Sequence, residues 1–254
     1  MEWGLIYSRL HNFIFLKGKK VAGTSVEMAL ASVCGPDDII TRIQPIEERA
    51  RLKDTGRGAQ NYSESPEKEK EYLKHIASTS DGERVEVAFK ADLYRNHMSL
   101  SDFAHRFGSI PTRRIFCVER SPYAKIISAA NMAGKFKKYK TGEQQMIDVN
   151  VDQIRGAIKR RFDTGRIGGC RNIDNYRDPD GGVHLRVLRF ESLSQEFSAL
   201  MDEYGIAPAP TLPHAKRGAN SNDFDPKDIF TRDQIDQVND LYAEEFDTFG
   251  YERL

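Results

Sequence analysis

The segment from residue 13 to residue 34, FIFLKGKKVAGTSVEMALASVC, constrains the fold more than any other part of the chain. Its apolar start predicts a buried strand over 13–17, and the amphipathic pattern that follows a short turn predicts a helix over 24–34. The hydroxyl of Thr24 or Ser25 is expected to cap this helix. A strand, a tight turn and a helix in succession bring backbone N–H groups and the positive end of the helix dipole together. The segment therefore predicts a binding site for an anion such as phosphate.

The glycines and lysines of the turn indicate which kind of anion-binding loop this is. Gly18 and Gly23 allow a tight bend. They also have the spacing of the nucleotide triphosphatase loop GxxxxGK[ST], but Thr24 stands where that loop has its lysine. The positive charges lie inside the turn instead, at Lys19 and Lys20. ATP hydrolysis is disfavoured because the loop lacks the Lys-Ser/Thr pair that supports a magnesium-bound γ-phosphate.

Residues 20–25, KVAGTS, resemble the 5′-phosphosulfate loop of sulfotransferases, which usually reads KTxGTS. Those enzymes take the sulfuryl group from 3′-phosphoadenosine-5′-phosphosulfate (PAPS) and release adenosine 3′,5′-bisphosphate. The resemblance implies that Lys20 is a catalytic residue at the leaving oxygen, while Lys17 and Lys19 rank below it as loop-edge charges. It also implies that PAPS is held by the loop at Lys20 and by the backbone N–H groups of Ala22, Gly23, Thr24 and Ser25. An ordinary glycine turn without a ligand is the alternative.

A second segment, residues 113–135, has a similar organisation. Its sequence, RRIFCVERSPYAKIISAANMAGK, predicts a short buried strand over 114–118 and a helix over 122–133. Ser121 is a natural N-cap for that helix, and Gly134 is the expected exit. The segment therefore supplies a second strand-to-helix junction.

The side chains at this second junction predict another anion site. Ser121, Lys125 and Ser128 share one helical face, because positions i, i+4 and i+7 stack, and Arg120 precedes them. We expect them to converge on one small anion. The pattern resembles the sulfotransferase 3′-phosphate motif, RDPxxRxxSxY in many members, with Ser121 in place of aspartate and Ala130 in place of tyrosine. The resemblance assigns the 3′-phosphate of PAPS to Arg120 and Ser128.

The likeness continues towards the end of the chain. Residues 183–193 resemble the late "LRFExL" strand–helix of the family, and residues 212–218 and 241–254 resemble the tail of carbohydrate-type sulfotransferases. The resemblance implies that Lys216 and Arg217 close over the 3′-phosphate or the adenine. Solvated loop charge is the alternative for these two residues.

Strand and helix patterns alternate along the chain. Besides the elements above, we expect strands near 85–89 and 183–190, and helices near 100–107, 145–162, 193–204 and 231–246. Such alternation predicts an α/β fold, a three-layer α/β/α sandwich with a mostly parallel central sheet. The resemblance implies the P-loop NTPase-like sulfotransferase fold. One domain over 1–254 is expected, with a polar excursion at about 41–82 as a candidate cover for the acceptor.

Composition narrows the class of protein. The chain has no run of about 18 apolar residues, so we expect no membrane span. The three cysteines, at unrelated spacings, indicate neither a disulfide framework nor a metal site, and a cytoplasmic location is expected. Residues 111–171 contain 14 Lys/Arg against five acids, which suits a doubly anionic donor. Few aromatic residues interleave with these charges, which disfavours nucleic acid as a partner.

A general base is needed to remove the proton of the acceptor. His97 is favoured, because it follows the predicted strand at 85–89 and its imidazole titrates near neutral pH. A capping role is the alternative for His97. Glu27 and Glu86 are further carboxylate candidates.

Three hypotheses follow from these motifs. The first is a PAPS-dependent sulfotransferase, without a metal, that acts on a hydroxyl or amine of a small molecule or saccharide. The second is a P-loop kinase-like phosphotransferase with ATP as donor. The third is a nucleotide-binding module without catalysis. The identity of the acceptor and the oligomeric state have no signature in the sequence.

Overall fold

The structure is a computed structural model. It describes residues 4–79, 92–95, 98–139, 150–213 and 224–254. The chain forms two compact units. The first, here the sheet unit, comprises Met1–Glu119 and Asp174–Ala215. The second, here the helical unit, comprises Arg120–Ile173 and Lys216–Leu254.

The sheet unit contains a mixed sheet. Its strands are β1 (Leu5–Ser8), β2 (Phe13–Leu16), β3 (Ile39–Ile40), β4 (Ile115–Glu119) and β5 (Arg186–Arg189), in the spatial order β3-β1-β2-β4-β5. β2 pairs with β4 and β4 with β5 in parallel, whereas β1 pairs antiparallel with both β2 and β3. The carboxyl ends of β2 and β4 therefore lie at the same edge of the sheet.

Helices of the sheet unit pack on this sheet or on one another. They are α1 (Gly23–Ala31), α2 (Pro45–Thr55), α3 (Pro66–Ser78), α4 (Leu100–Phe107) and α8 (Leu193–Glu203). Alternate residues of β2 and β4 share one buried apolar cluster with α1 and α8, including Phe13, Phe15, Phe116, Val118, Val26, Leu30, Phe197 and Leu200. Tyr7 of β1 packs edge-on against Phe103 and Phe107 of α4, with ring centroids 6.0 and 5.4 Å apart. Because successive strand residues point to opposite faces, α4 covers the face opposite to the cluster.

The helical unit is built around one long helix. α5 (Pro122–Tyr139) packs with α6 (Val151–Asp163), α9 (Pro226–Ile229), α10 (Arg232–Leu241) and α11 (Ala243–Phe249) around a separate buried cluster. A short helix, α7 (Ile173–Tyr176), lies where the chain returns to the sheet unit. Capping boxes at Asn150 and Thr231 explain where α6 and α10 begin, because each cap satisfies two backbone N–H groups.

The strand–turn–helix predictions are confirmed in type, but several boundaries differ. The helix predicted over 24–34 begins at Gly23 and ends at Ala31. The helix predicted over 122–133 runs to Tyr139, so Gly134 does not end it. The helix predicted over 231–246 is two helices, α10 and α11, which meet at Tyr242.

Two further predictions concern the direction of the strands and the polar segment at 41–82. The sheet is mixed, because the short strands β1 and β3 add antiparallel pairs to the predicted parallel core. The polar excursion at 41–82 contains α2 and α3, and Thr24 of α1 contacts α2 through Glu47. The strand expected near 85–89 lies outside the described residues.

Candidate functional site

The turn between β2 and α1 has an unusual backbone. Lys20 and Ala22 both adopt the left-handed conformation, with φ of 64° and 62°, and Val21 between them does not. Neither Gly18 nor Gly23 has a positive φ, so the glycines do not make the bend as we expected. Backbone that alternates between right- and left-handed residues turns successive N–H groups into one concavity, a geometry that binds anions. Residues 20–22, which lie directly before α1, are the candidate for such a site, and we call them the nest.

The start of α1 adds amides to this nest. Ala22 is the N-cap, and no side chain caps the helix, so the prediction that Thr24 or Ser25 caps it is wrong. The physical reason is that the helix begins one residue earlier than expected. Ser25 N–H donates to Ala22 O over 3.0 Å. Within the described residues no hydrogen bond involves the N–H groups of Gly23 or Thr24, as is usual for a first helical turn.

Gly23 is required here for a reason other than backbone conformation. A Cβ atom on Gly23 would lie 2.4 Å from Cγ of Lys17. The Lys17 side chain therefore runs directly across this residue. Its ammonium reaches the carboxylate of Glu27 on α1, with Nζ 2.6 Å from Oε2. Lys17, which we ranked as a loop-edge charge, is thus buried beneath the start of α1.

A charge cluster, consisting of Lys17, Glu27, Glu47, Glu48 and Arg51, lies beside the nest. Glu47 is half-buried and the other four are buried. Glu47 joins it to α1, because Thr24 Oγ1 donates to Glu47 Oε1 across a long 3.5 Å contact. Arg51 Nη2 donates to both carboxylate oxygens of Glu48, at 2.6 and 2.7 Å. Arg51 also attracts Glu27 electrostatically. Lys17 directly follows β2, Glu27 belongs to α1, and the other three residues belong to α2.

At Glu27, burial outweighs the attraction of the neighbouring positive charges. Burial raises the pKa of Glu27 above its ordinary value, and the attraction of Lys17 and Arg51 offsets part of that effect. Within the described residues, Glu27 Oε1 and Arg51 Nη1 are buried and have no hydrogen-bond partner. Unsatisfied buried polar atoms are rare in folded proteins and call for an explanation. Their position beside an anion-binding nest marks this part of the sheet unit as the candidate site.

The second motif begins where β4 ends. Glu119, the last residue of β4, is buried and accepts a hydrogen bond from the Tyr176 hydroxyl at 2.8 Å. The chain then enters the helical unit, where Arg120 and Ser128 are half-buried. Ser121 O accepts the first helical hydrogen bond, from Lys125 N, at 2.9 Å. The assignment of the 3′-phosphate to Arg120 and Ser128 stays a prediction.

Lys125 does not take the role we expected. Its side chain is fully buried, and Nζ lies 2.6 Å from Oε2 of Glu245 on α11. Glu245 Oε1 also accepts the backbone N–H groups of Asn172 and Ile173. The face argument placed Lys125 correctly on its helix, but α11, which the chain reaches 120 residues later, covers that position. Lys125 is therefore no longer a candidate ligand of the anion.

Several predicted site residues lie outside the described residues. They are His97, Glu86, Lys216 and Arg217. Their roles stay predictions. Within the described ranges, no group of three His, Cys, Asp or Glu side chains is placed to hold a metal ion.

Sequence reasoning missed the acidic side of the candidate site. Glu47, Glu48 and Arg51 fall in a segment that we interpreted as a polar excursion and a candidate cover for the acceptor. A weak signal was present, because Glu48 and Arg51 are three positions apart and therefore share one face of α2. Nothing in that spacing distinguishes a buried pair from an exposed one.

Comparison of the chain with family models, with curated proteins and with solved structures finds no match. The likeness to sulfotransferases therefore rests on the residues of the motifs. Among the helices that the structure describes, none has both the length and the apolar character needed to cross a bilayer.

Proposed function

We propose that the chain is a PAPS-dependent sulfotransferase that transfers a sulfuryl group to a hydroxyl or amine of a saccharide or small molecule. The proposal includes the three-layer, P-loop-like sulfotransferase fold. The observation that supports it most is the nest, in which left-handed Lys20 and Ala22 precede the N–H groups of Gly23 and Thr24. These residues belong to the KVAGTS motif, whose likeness to the 5′-phosphosulfate loop is a feature of the sequence alone.

The loop suits a dianionic group better than a neutral one. Residues that are not glycine rarely adopt the left-handed conformation, and each such residue costs roughly 1–3 kcal/mol. Two of them occur within three positions here. An anion held by several backbone N–H groups at a helix start gives a physical reason for keeping that strain.

Sulfuryl transfer requires positioning and charge stabilisation more than covalent catalysis. The acceptor oxygen or nitrogen forms a bond to sulfur while the bond from sulfur to the bridging phosphate oxygen breaks, and negative charge grows on the departing oxygen. By analogy with phosphoryl transfer, preorganised donors supply most of the catalysis. We assign the departing oxygen to the Lys20 ammonium and the 5′-phosphate to the loop amides. We assign the 3′-phosphate to Arg120 and Ser128.

The proton of the acceptor needs a base. His97 is the candidate from sequence, and Glu47 is a second candidate from the structure. Glu47 lies at the start of α2 and contacts Thr24 of the motif. Glu27 is a poorer candidate, because its carboxylate is fully buried and is held by Lys17. The pH dependence of transfer by H97Q and by E47Q separates the two: the variant that lacks the base loses the acidic limb of the profile.

The first experiment is a calorimetric titration with adenosine 3′,5′-bisphosphate and, separately, with ATP and magnesium. We expect the bisphosphate to bind and ATP with magnesium to bind more weakly. At about 100 times its Kd the bisphosphate should stabilise the protein by ~2.7 kcal/mol. Binding of ATP with magnesium but not of the bisphosphate would instead support the kinase-like alternative.

A matched pair of loop variants tests the catalytic assignment. Lys20→Ala should nearly abolish transfer from PAPS to a panel of saccharides and amines, while Lys19→Ala, one residue earlier, should retain most of it. A Lys20→Ala variant that keeps more than about a tenth of the wild-type kcat would rule out the leaving-group role. Bisphosphate binding with no transfer in any variant, wild type included, would favour the inactive nucleotide-binding module.

A further inference from the structure

A cavity of the sheet unit lies at the opposite edge of the sheet from the nest. Its volume is about 260 Å³, and it is formed where β4 and β5 begin. The nest follows the carboxyl end of β2, which is parallel to β4, whereas this cavity lies at the amino ends of β4 and β5. Its polar lining comes from Arg113, Arg114, His184, Arg186, Glu203 and Tyr204.

The lining is strongly cationic. Arg113 and Arg114 precede β4, and Arg186 opens β5, so three arginines line one small volume. Within the described residues, no ion pair joins any of the three to a carboxylate. Among the lining residues that the structure describes, Glu203 is the one that carries a carboxylate. The cavity thus collects at least two positive charges in excess.

Two of the lining groups are held in place. The Arg114 guanidinium lies over the Tyr204 ring, 5.2 Å from its centroid. His184 Nδ1 lies 2.8 Å from Oδ2 of Asp178, and the other oxygen of that carboxylate accepts the N–H groups of Asp180 and Gly182. Fixed donors lose less entropy when a ligand binds than mobile surface lysines do.

We infer that this cavity binds the oxyanion of a small molecule, a phosphate or sulfate monoester. Guanidinium groups present planar pairs of N–H donors that match two oxygens of such a group. A volume of about 260 Å³ is below the range of about 300–1,000 Å³ typical of drug-sized ligands. The cavity therefore suits a free oxyanion or a monosaccharide ester better than a whole nucleotide. The inference does not depend on the proposed transfer activity.

The test is a calorimetric titration of the full chain with glucose 6-phosphate, inorganic phosphate and glucose. The variant R113Q/R186Q removes two charges from the cavity, and R95Q/R106Q removes two exposed arginines of the same unit as a matched control. A third variant, K20A, reports binding at the nest. All four arginines are exposed, so we expect every protein to fold, which thermal melting verifies.

We expect glucose 6-phosphate to bind the wild type, R95Q/R106Q and K20A alike, and to bind R113Q/R186Q at least tenfold more weakly. Equal binding of inorganic phosphate would identify the free oxyanion as sufficient, and tighter binding of the ester would show that the sugar also contacts the cavity. Either result supports the inference. It is wrong if the ester does not bind, if glucose binds equally well, if the control variant weakens binding as much, or if K20A abolishes it.

Discussion

Replacing Lys17 by methionine should make the stability of the protein steeply dependent on pH. The variant keeps the apolar stem that crosses Gly23 but removes the ammonium 2.6 Å from Glu27. Glu27 is fully buried, so without Lys17 its carboxyl group must either remain charged in an apolar setting or hold a proton. Arg51, which also attracts Glu27, limits the effect but does not touch the carboxylate.

The sign and size of this effect follow from the pKa of Glu27. Burial already raises that pKa in the wild type, and losing Lys17 removes the largest opposing influence, so the folded pKa rises further. An acid whose folded pKa is raised keeps its proton where the unfolded chain has lost it. Stability is therefore fully present below the unfolded pKa of about 4.3, and it falls as pH rises towards the folded value. One proton gives at most about 1.4 kcal/mol per pH unit, or about 4 kcal/mol between pH 5 and pH 8.

Urea denaturation at several values between pH 5 and pH 8 measures this dependence. The double variant K17M/E27Q is the control, because it has the same methionine and no titrating group at position 27. Lys17→Met should lose stability with rising pH relative to the double variant, by up to about 4 kcal/mol. Parallel stability curves for the two variants would refute the assignment of Lys17 as the partner that allows Glu27 to be buried.

Three other predictions concern the backbone of the loop and the second motif. Ala22→Gly should raise the free energy of unfolding by about 0.5–1 kcal/mol and keep bisphosphate binding. Ala22→Val should instead lower the free energy of unfolding by about 1–3 kcal/mol. Equal stability of the two variants would show that Ala22 is not strained. Lys125→Met should cost about 3–5 kcal/mol in chemical denaturation, and adding Glu245→Gln should recover most of it; no recovery would contradict the buried pair. Arg120→Ala should weaken bisphosphate binding by about 1.5–3 kcal/mol in calorimetry, while Arg155→Ala, an exposed arginine of the same unit, should not. Equal losses for the two arginines would move the 3′-phosphate site elsewhere.

Local patterns predicted the elements that carry the site. The apolar run before the turn, the glycines and the amphipathic stretch after them are features of neighbouring residues, and they indicated β2 and α1 correctly. The same holds for β4 and the start of α5. The strands β1 and β3 were not predicted, and β3, of two residues, is too short to show a period of its own.

The remaining features depend on contacts between residues far apart in the sequence, or on backbone conformations that leave no local signal. Lys125 and Glu245 are 120 positions apart, and only the packing of α11 against α5 makes them a pair. The left-handed residues of the loop are lysine and alanine, and neither favours that conformation. Glu27 is buried because other elements pack around α1. The spacing between Lys17 and Glu27 in the sequence does not predict that burial.

The role of Gly23 separates two explanations of why the loop has a glycine at this position. If only the backbone conformation mattered, Gly23→Ala would be mild, because Gly23 has no positive φ. The structure instead places Cγ of Lys17 2.4 Å from the position of a Cβ atom, and Cγ is too near the backbone to move aside alone. Gly23→Ala should therefore displace Lys17 from Glu27 and show the falling stability with rising pH expected of Lys17→Met. The double variant G23A/E27Q should lack that slope. A Gly23→Ala protein whose stability varies with pH as in the wild type would mean that the lysine stem has another path to Glu27.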